Sequence, residues 1–113
     1  MQKVAADPLI QQGQQAFLSK GCGGCHTIDG IAVGNPRYPD LTNYGMRYTV
    51  AGVKEHTAEN LATWIRDPQI FKPGNYMPTL WYGHDGEEEQ IAAIVAFLQS
   101  LGKTAPAQAS LNQ

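Results

Sequence analysis

At 113 residues, the chain has room for a single domain with one small core. Its eight basic and ten acidic residues leave a formal net charge of −2 and include no Lys/Arg tract, which removes the electrostatic basis for nucleic-acid binding. The longest apolar run, residues 91–98, is too short to span a bilayer, and two cysteines separated by only two residues cannot support a disulfide framework.

The first predicted element is a helix that begins near Asp7 and Pro8, because Asp7 can cap it and proline suits a first helical turn. Apolar and small residues are expected on one face of this helix, namely Leu9, Gly13, Ala16 and Phe17. Three nearby glycines should end the helix: Gly21, Gly23 and Gly24.

Two further helices are predicted. The second begins after Thr57, carries an apolar stripe around Trp64 and ends before Pro68. The third begins at Asp85 or Gly86 and has glutamates at 87–89, which interact favourably with the helix dipole, before it ends at Gly102. Its buried stripe is expected to consist of Ile91, Ile94, Val95, Leu98 and Leu101.

The long segments between these helices are rich in Gly, Pro, Asn and Tyr and show no strand alternation, so the sequence predicts an all-α fold. Loops of this length in a small domain usually wrap around something. Residues 1–103 are expected to form the domain, and 104–113, which are rich in Ala, Gln and Ser, a flexible C-terminal tail.

The segment Cys22-Gly23-Gly24-Cys25-His26 has the pattern of c-type haem attachment. Two thiols three positions apart on one turn can each add to a haem vinyl group, and the histidine that follows is held beneath the iron. We therefore expect one covalent haem c, with thioethers at Cys22 and Cys25 and His26 as an axial ligand. Bacterial haem attachment takes place outside the cytoplasmic membrane, and the N-terminus shows no signal peptide, so we expect a mature or trimmed form.

Two other chemistries use a Cys-x-x-Cys pair. A thioredoxin-like dithiol needs a strand and helix around it, which the sequence does not indicate. A structural zinc site needs two more ligands, and His56 and His84 lack the paired spacing of zinc modules. Both of these histidines are instead expected to be exposed, while His26 directly after Cys25 favours haem.

The second axial ligand decides between an electron carrier and a haem protein that binds external ligands. Met77 lies in a loop between Pro73 and Pro78, whose rings restrict the backbone, so this loop can present a flexible thioether at a defined position. Met46 is the main rival, but its neighbours are typical of a pocket loop. We predict that Met77 is the ligand.

The chain resembles class I cytochromes c, with the attachment motif near the N-terminus and the methionine towards the C-terminus. It is more narrowly similar to the cytochrome c domain fused to subunit II of some bacterial haem-copper cytochrome c oxidases. The similar segments are residues 21–26, 39–42, 61–68, 72–78 and 94–98. The resemblance implies a small fold in which the N- and C-terminal helices cross, Gly13 and Phe17 meeting Phe97 and Leu98, while loops wrap around one haem.

The resemblance also assigns residues to the haem pocket. The Pro39 carbonyl is expected to accept a hydrogen bond from Nδ1–H of His26, with Pro36 as a second candidate. Trp64 is expected to reach a haem propionate through its indole N–H, and Arg47 to lie near the propionates. Two more residues of the similar segments are expected to contact the haem, namely Leu41 and Tyr76.

A haem with His and Met ligands has no open position, so one-electron transfer is expected rather than catalysis at the iron. The resemblance implies the copper centre of oxidase subunit II as electron acceptor and a respiratory protein as donor, in the periplasm or on the outer face of the cytoplasmic membrane. The chain has only five lysines, and a tethered domain needs little electrostatic steering. Two alternatives stay open: a free or tethered periplasmic carrier for another redox enzyme, and a ligand-binding or peroxidatic haem protein.

Overall fold

The computed structural model describes residues 7–75 and 77–102. Three α-helices are its main elements, and each begins at a residue that caps it through its side chain or its backbone conformation. The α-helices are α1 (Pro8–Ser19), α2 (Ala58–Arg66) and α3 (Glu87–Ser100). Short 3-10 helices cover Cys22–Gly24, Tyr44–Met46 and Pro68–Ile70. Tyr76 and the predicted tail at 104–113 lie outside the described residues.

The predicted helix starts are confirmed by their caps. The Asp7 carboxylate accepts the N–H of Leu9 at 2.8 Å, and the Thr57 hydroxyl accepts the N–H of Asn60 at 3.0 Å. Of the two candidates for the third helix, Gly86 is the cap, with a φ of 88° that favours glycine.

Helices α1 and α3 pack against each other at Gly13. A Cβ atom at Gly13 would collide with the Ala93 carbonyl group and lie 2.6 Å from Cβ of Phe97. One turn later, the rings of Phe17 and Phe97 meet with centroids 5.7 Å apart. The predicted crossing of the first and last helices is therefore confirmed. Leu9 is 45% exposed, contrary to expectation, because it lies one turn before the crossing point.

A small hairpin departs from the predicted absence of strands. Strands β1 (Thr49–Val50) and β2 (Lys54–Glu55) pair antiparallel, with Thr49 opposite Glu55 and Val50 opposite Lys54. Two residues per strand are too few to produce a readable alternation in the sequence. Apart from this hairpin and an isolated bridge between Ile28 and Ala32, the regular elements of the described residues are helices, so the predicted helical class is confirmed.

The core combines the predicted stripe of α3 with residues from α1, α2 and the loops. All five stripe residues are buried, and Ile28, Leu41, Tyr44 and Val50 contribute from loops and the hairpin. Much of this core also forms the wall of an apolar pocket. None of the helices in the described ranges is long and apolar enough to cross a membrane.

Candidate functional site

The two cysteines and His26 lie on one tight turn that directly follows α1. Gly21, with a φ of 84°, turns the chain out of the helix, and residues 22–24 form a 3-10 helix. The Cys22 carbonyl accepts the N–H groups of both Cys25, at 3.1 Å, and His26, at 2.9 Å. Both thiols are half-buried and free. The turn thus brings two thiols and an imidazole together, as the attachment motif predicts.

A backbone carbonyl in the loop after His26 holds the imidazole ring through a hydrogen bond. Nδ1 of His26 lies 2.9 Å from the carbonyl oxygen of Pro39. Since a carbonyl oxygen only accepts, Nδ1 carries the hydrogen and Nε2 is left as the donor atom for a metal. Pro39, and not the second candidate Pro36, provides this acceptor.

Close backbone contacts fix this loop against the attachment turn. A Cβ atom at Gly34 would lie 2.5 Å from the carbonyl carbon of His26, so only glycine fits there. The N–H of Asn35 donates to the Cys25 carbonyl at 3.0 Å, and the N–H of Leu41 donates to the Thr27 carbonyl at 2.8 Å. The loop therefore brings Pro39 and Leu41 to the site together.

An apolar pocket connects the attachment turn with the C-terminal half of the chain. Helices α1, α2 and α3 all contribute to its wall, together with three loops. Its lining residues are Phe17, Cys22, His26, Leu41, Tyr44, Leu61, Trp64, Ile65, Met77, Ile94 and Leu98. Five predicted site residues are among them: Cys22, His26, Leu41, Trp64 and Met77. The imidazole and the thioether predicted as iron ligands thus face the same pocket.

A hydrogen-bond network around Asn75 positions Met77. The side-chain oxygen of Asn75 accepts the N–H of Met77 at 2.7 Å, while its amide nitrogen donates to the carbonyls of Lys72 and Pro68 at 2.7 and 3.1 Å. Gln69 donates to the Asn75 carbonyl at 3.0 Å. The loop is therefore tied to the 3-10 helix that follows α2, in addition to the restriction that the prolines impose.

Of the residues predicted to contact the haem periphery, Trp64 lies in the pocket wall, Arg47 beside it and Tyr76 outside the described residues. Arg47 donates to the Asp40 carbonyl at 2.7 Å and stacks over the ring of Tyr44, 5.1 Å from its centroid. Trp64 stacks on Phe71 with centroids 6.4 Å apart. The contacts of Arg47 and Trp64 with haem propionates, and that of Tyr76 with the haem, stay predictions.

The two other chemistries of a Cys-x-x-Cys pair have little support in this structure. Burial raises the pKa of the Cys22 thiol, assisted by the nearby Cys25, and outweighs the opposing effects of a backbone hydrogen bond and Lys20. A reactive dithiol needs a lowered pKa instead. Within residues 7–75 and 77–102, no three His, Cys, Asp or Glu side chains cluster as a metal site would require.

A second depression, between α1 and α3, contains none of the predicted site residues. It is open and partly polar, with Gln12, Gln15, Ser19, Glu89 and Gln90 in its lining. Although it is the larger of the two, it offers neither sulfur nor imidazole. The apolar pocket is therefore the candidate functional site.

The sequence profile of the cytochrome c family matches residues 10–102. The chain belongs to the cytochrome c family. Membership of this family implies a covalent haem c that serves electron transfer, and the apolar pocket, with the Cys22 thiol, the His26 imidazole and the Met77 thioether in its lining, fits such a group.

Relatives of the cytochrome include subunits of bacterial oxidases. It is 43% identical over 95 residues to cytochrome c oxidase subunit 2 of Alkalihalophilus pseudofirmus, covering 84% of the cytochrome and 26% of that protein. It is 42% identical over 101 residues to cytochrome c oxidase subunit 2 of Bacillus sp. strain PS3, covering 87% of the cytochrome and 28% of that protein. The cytochrome thus spans about a quarter of the length of these relatives.

A solved structure shares the fold. The c-type cytochrome SorU from Sinorhizobium meliloti superposes with a TM-score of 0.55 over 83% of this chain and 91% of that one, at 21% sequence identity. The small cytochrome c fold expected from the sequence is confirmed, and so is the similarity to oxidase subunit 2.

The burial of one histidine beside the site, His56, is not predicted from the sequence. The expectation that His56 is exposed is wrong, because its ring is half-buried against Tyr44, with centroids 5.2 Å apart. Its position just before a polar helix start gave no sign of this burial. His84 is exposed, as predicted.

Proposed function

We propose that the cytochrome transfers single electrons through a haem c that is attached at Cys22 and Cys25 and bound axially by His26 and Met77. The observation that carries this proposal is that His26 and Met77, which are far apart in the sequence, line one apolar pocket beside Cys22. When bound, the haem supplies a reversible Fe(II)/Fe(III) couple.

The residues of the chain set the conditions for that couple. The Pro39 carbonyl orients the imidazole of His26 and raises its basicity. The Asn75 network presents the thioether of Met77, a ligand type that raises the reduction potential. The apolar wall excludes water and disfavours the extra positive charge of the ferric state. Ligation by both His26 and Met77 would leave no position on the iron for external ligands, so these two residues would favour electron transfer over ligand binding.

We further propose that the cytochrome delivers its electrons to the copper centre of a cytochrome c oxidase in an aerobic respiratory chain, after receiving them from a respiratory donor protein. The similarity to two oxidase subunits 2, at 43% and 42% identity over most of the chain, supports this role. Covalent haem attachment outside the cytoplasm agrees with a position in the periplasm or on the outer face of the cytoplasmic membrane.

The replacement Met77→Ala tests the ligation. We expect the ferric protein to lose the weak long-wavelength absorption band of sulfur-bound iron, because Met77 supplies that sulfur. Cyanide should bind more tightly by about tenfold or more, equal to ~1.4 kcal/mol or more, since no protein sulfur competes for the iron. Absorption spectra with and without cyanide measure both effects.

The replacement Met46→Ala is the matched control. Met46 is 58% exposed and is not in the pocket wall, so its removal should leave the spectrum and the cyanide affinity unchanged. Retention of the band in Met77→Ala, or its loss in Met46→Ala, would refute the ligation by Met77.

A further inference from the structure

His56 has one ring nitrogen that is buried and unpaired. Its Nδ1 lies 2.9 Å from the Arg47 carbonyl oxygen, and its backbone N–H donates to the Tyr48 carbonyl at 2.9 Å. Its Nε2 is shielded from solvent and has no hydrogen-bond partner among the described residues. Buried polar atoms in native proteins almost always have a partner, so this atom indicates a missing group.

The bond to Arg47 determines what the missing group can be. Because a carbonyl oxygen only accepts, Nδ1 carries a hydrogen. Nε2 is then either a bare acceptor, in the neutral ring, or a second donor, in the imidazolium. A carboxyl group suits both states, since it can accept the second N–H as a carboxylate or donate its own proton as an acid.

The position of His56 identifies the source of that carboxyl group. The ring of His56 packs on Tyr44, and Tyr44 is part of the pocket wall. A haem in this pocket carries two propionate groups on the edge opposite the vinyl groups, which bond to the cysteines. A propionate therefore brings a carboxylate to the pocket, away from the attachment turn.

We infer that Nε2 of His56 binds a propionate of the haem and that the two groups share one titratable proton. The inference rests on the proposed haem attachment. In this role His56 is a positioning residue, which orients the propionate and couples its charge to the iron. The coupling acts through charge: loss of the shared proton makes the site more negative and favours the ferric state.

Three segments near His56 carry other charged and titratable groups. Tyr44 and Arg47 lie on the turn at 44–47, Lys54 and Glu55 on β2, and Glu59 in the first turn of α2. The side chains of Arg47, Lys54, Glu55 and Glu59 are exposed, so solvent screens their effect on the buried Nε2. Burial raises the pKa of Tyr44, more than Arg47 lowers it, so its hydroxyl remains neutral at neutral pH.

The test is the pH dependence of the reduction midpoint of the haem-loaded protein between about pH 5 and about pH 8, the range in which histidine titrates. Oxidation transfers one electron to the electrode. Where the pair of His56 and propionate still holds the shared proton, oxidation favours the release of that proton to water. We therefore expect the midpoint of the wild type to fall as the pH rises.

Three variants separate the titration from a purely structural role. His56→Gln can still donate one hydrogen bond but has no titratable ring, so it should lose the pH-dependent fall. His56→Phe removes both properties and should also lose the fall. His84→Gln replaces an exposed histidine and should keep it.

A measurement on the wild type keeps the test valid if a variant does not fold. Nitrogen NMR of the ferrous haem-loaded protein should show Nε2 of His56 in a hydrogen bond at the acidic end of the range, either as the donor or as the acceptor of the shared proton. An Nε2 that takes part in no hydrogen bond throughout the range, or an unchanged slope in a folded His56→Gln, would overturn the inference. A protein without covalent pigment would instead refute the proposed function, whereas a pigmented protein with a methionine-bound spectrum and no effect of His56 refutes only this inference.

Discussion

Glu87 joins three parts of the chain through one carboxylate. Its Oε1 accepts the N–H groups of Tyr82, Gly83 and His84 at 2.9, 2.8 and 3.1 Å, and its Oε2 lies 3.5 Å from Nζ of Lys20. Burial raises the pKa of this carboxyl, but the three N–H donors and Lys20 lower it more, so the pKa lies below the ordinary value of 4.5. The carboxylate of Glu87 therefore stabilises the protein by holding the end of α1 and the loop before α3 against the start of α3.

Acidification tests this role at the level of a single residue. A carboxyl with a lowered folded-state pKa contributes stability that is complete above the unfolded-state value, near 4.5, and is lost as the pH falls through the folded-state pKa. Glu87→Gln keeps an acceptor oxygen but has no charge to lose. We expect its melting temperature to be lower than that of the wild type at neutral pH and to fall less steeply below about pH 4.5.

Glu89→Gln is the control, since Glu89 is exposed in the same helical turn. Thermal denaturation of the haem-loaded proteins at several pH values provides the comparison. Equal acid slopes for the wild type and Glu87→Gln would show that the contacts of Glu87 do not depend on its charge.

Helices α1 and α3 approach each other closely because residue 13 has no side chain. The Ala93 carbonyl group and Cβ of Phe97 occupy the space that a Cβ atom at Gly13 would need. A carbonyl within a helix cannot move without breaking the helical hydrogen bonds, so the helices would have to separate. The contact of Phe17 with Phe97 one turn later would weaken with them.

Gly13→Ala should therefore destabilise the protein, although alanine favours a helix over glycine by about 1 kcal/mol. We expect a net loss of roughly 1–3 kcal/mol in the free energy of unfolding, the usual cost of overpacking. Denaturant titration of the haem-loaded proteins measures it. At Gly24 a Cβ atom would meet nothing within 4 Å, so Gly24→Ala should change the stability little, and an equal loss in both variants would contradict the steric explanation.

The sequence predicts these helices well because their determinants are local. Asp7 and Thr57 cap N–H groups within three residues of themselves, Gly86 starts α3 through its own backbone conformation, and the apolar stripe of α3 repeats with the helical period. The burial of His56 and the hairpin at 49–55 depend on contacts between separate segments, which leave no local pattern. The partner of Glu87 illustrates the same limit, since Lys20 precedes it by more than half the chain.

The candidate site is predictable to a similar degree. The attachment motif and the proline-framed Met77 are short patterns with a chemical reason, and the structure places both at one pocket. The network through which Asn75 holds Met77 requires Gln69 and Pro68 to lie beside the loop. That proximity depends on how the chain turns back between residues 68 and 77, which composition and spacing do not show.

The charge of the whole molecule bears on how it meets its partner. A net charge of −2 and five lysines in the whole chain do not provide a strong positive field for long-range attraction. If the cytochrome is held beside an oxidase copper centre, a high effective concentration replaces such attraction.

If the oxidase role is correct, we expect the haem-loaded cytochrome to exchange electrons faster with a separately prepared copper domain of the same oxidase than with an unrelated copper protein. The rate should change by less than about tenfold between low and high salt, the lower end of what steering produces. Stopped-flow absorbance follows the reaction, with an unrelated copper protein as the reference acceptor. Exchange no faster than with that reference would argue against the oxidase role.

The two tryptophans of the chain lie in or next to the pocket wall, where an optical probe of the pocket is useful. Trp64 lines the pocket, and the indole N–H of Trp81 donates to the carbonyl of Ile65, another lining residue, at 3.0 Å. With the proposed haem bound, the porphyrin would quench the fluorescence of nearby indoles by energy transfer. Tryptophan fluorescence of the haem-loaded protein would then increase as the chain unfolds around the haem.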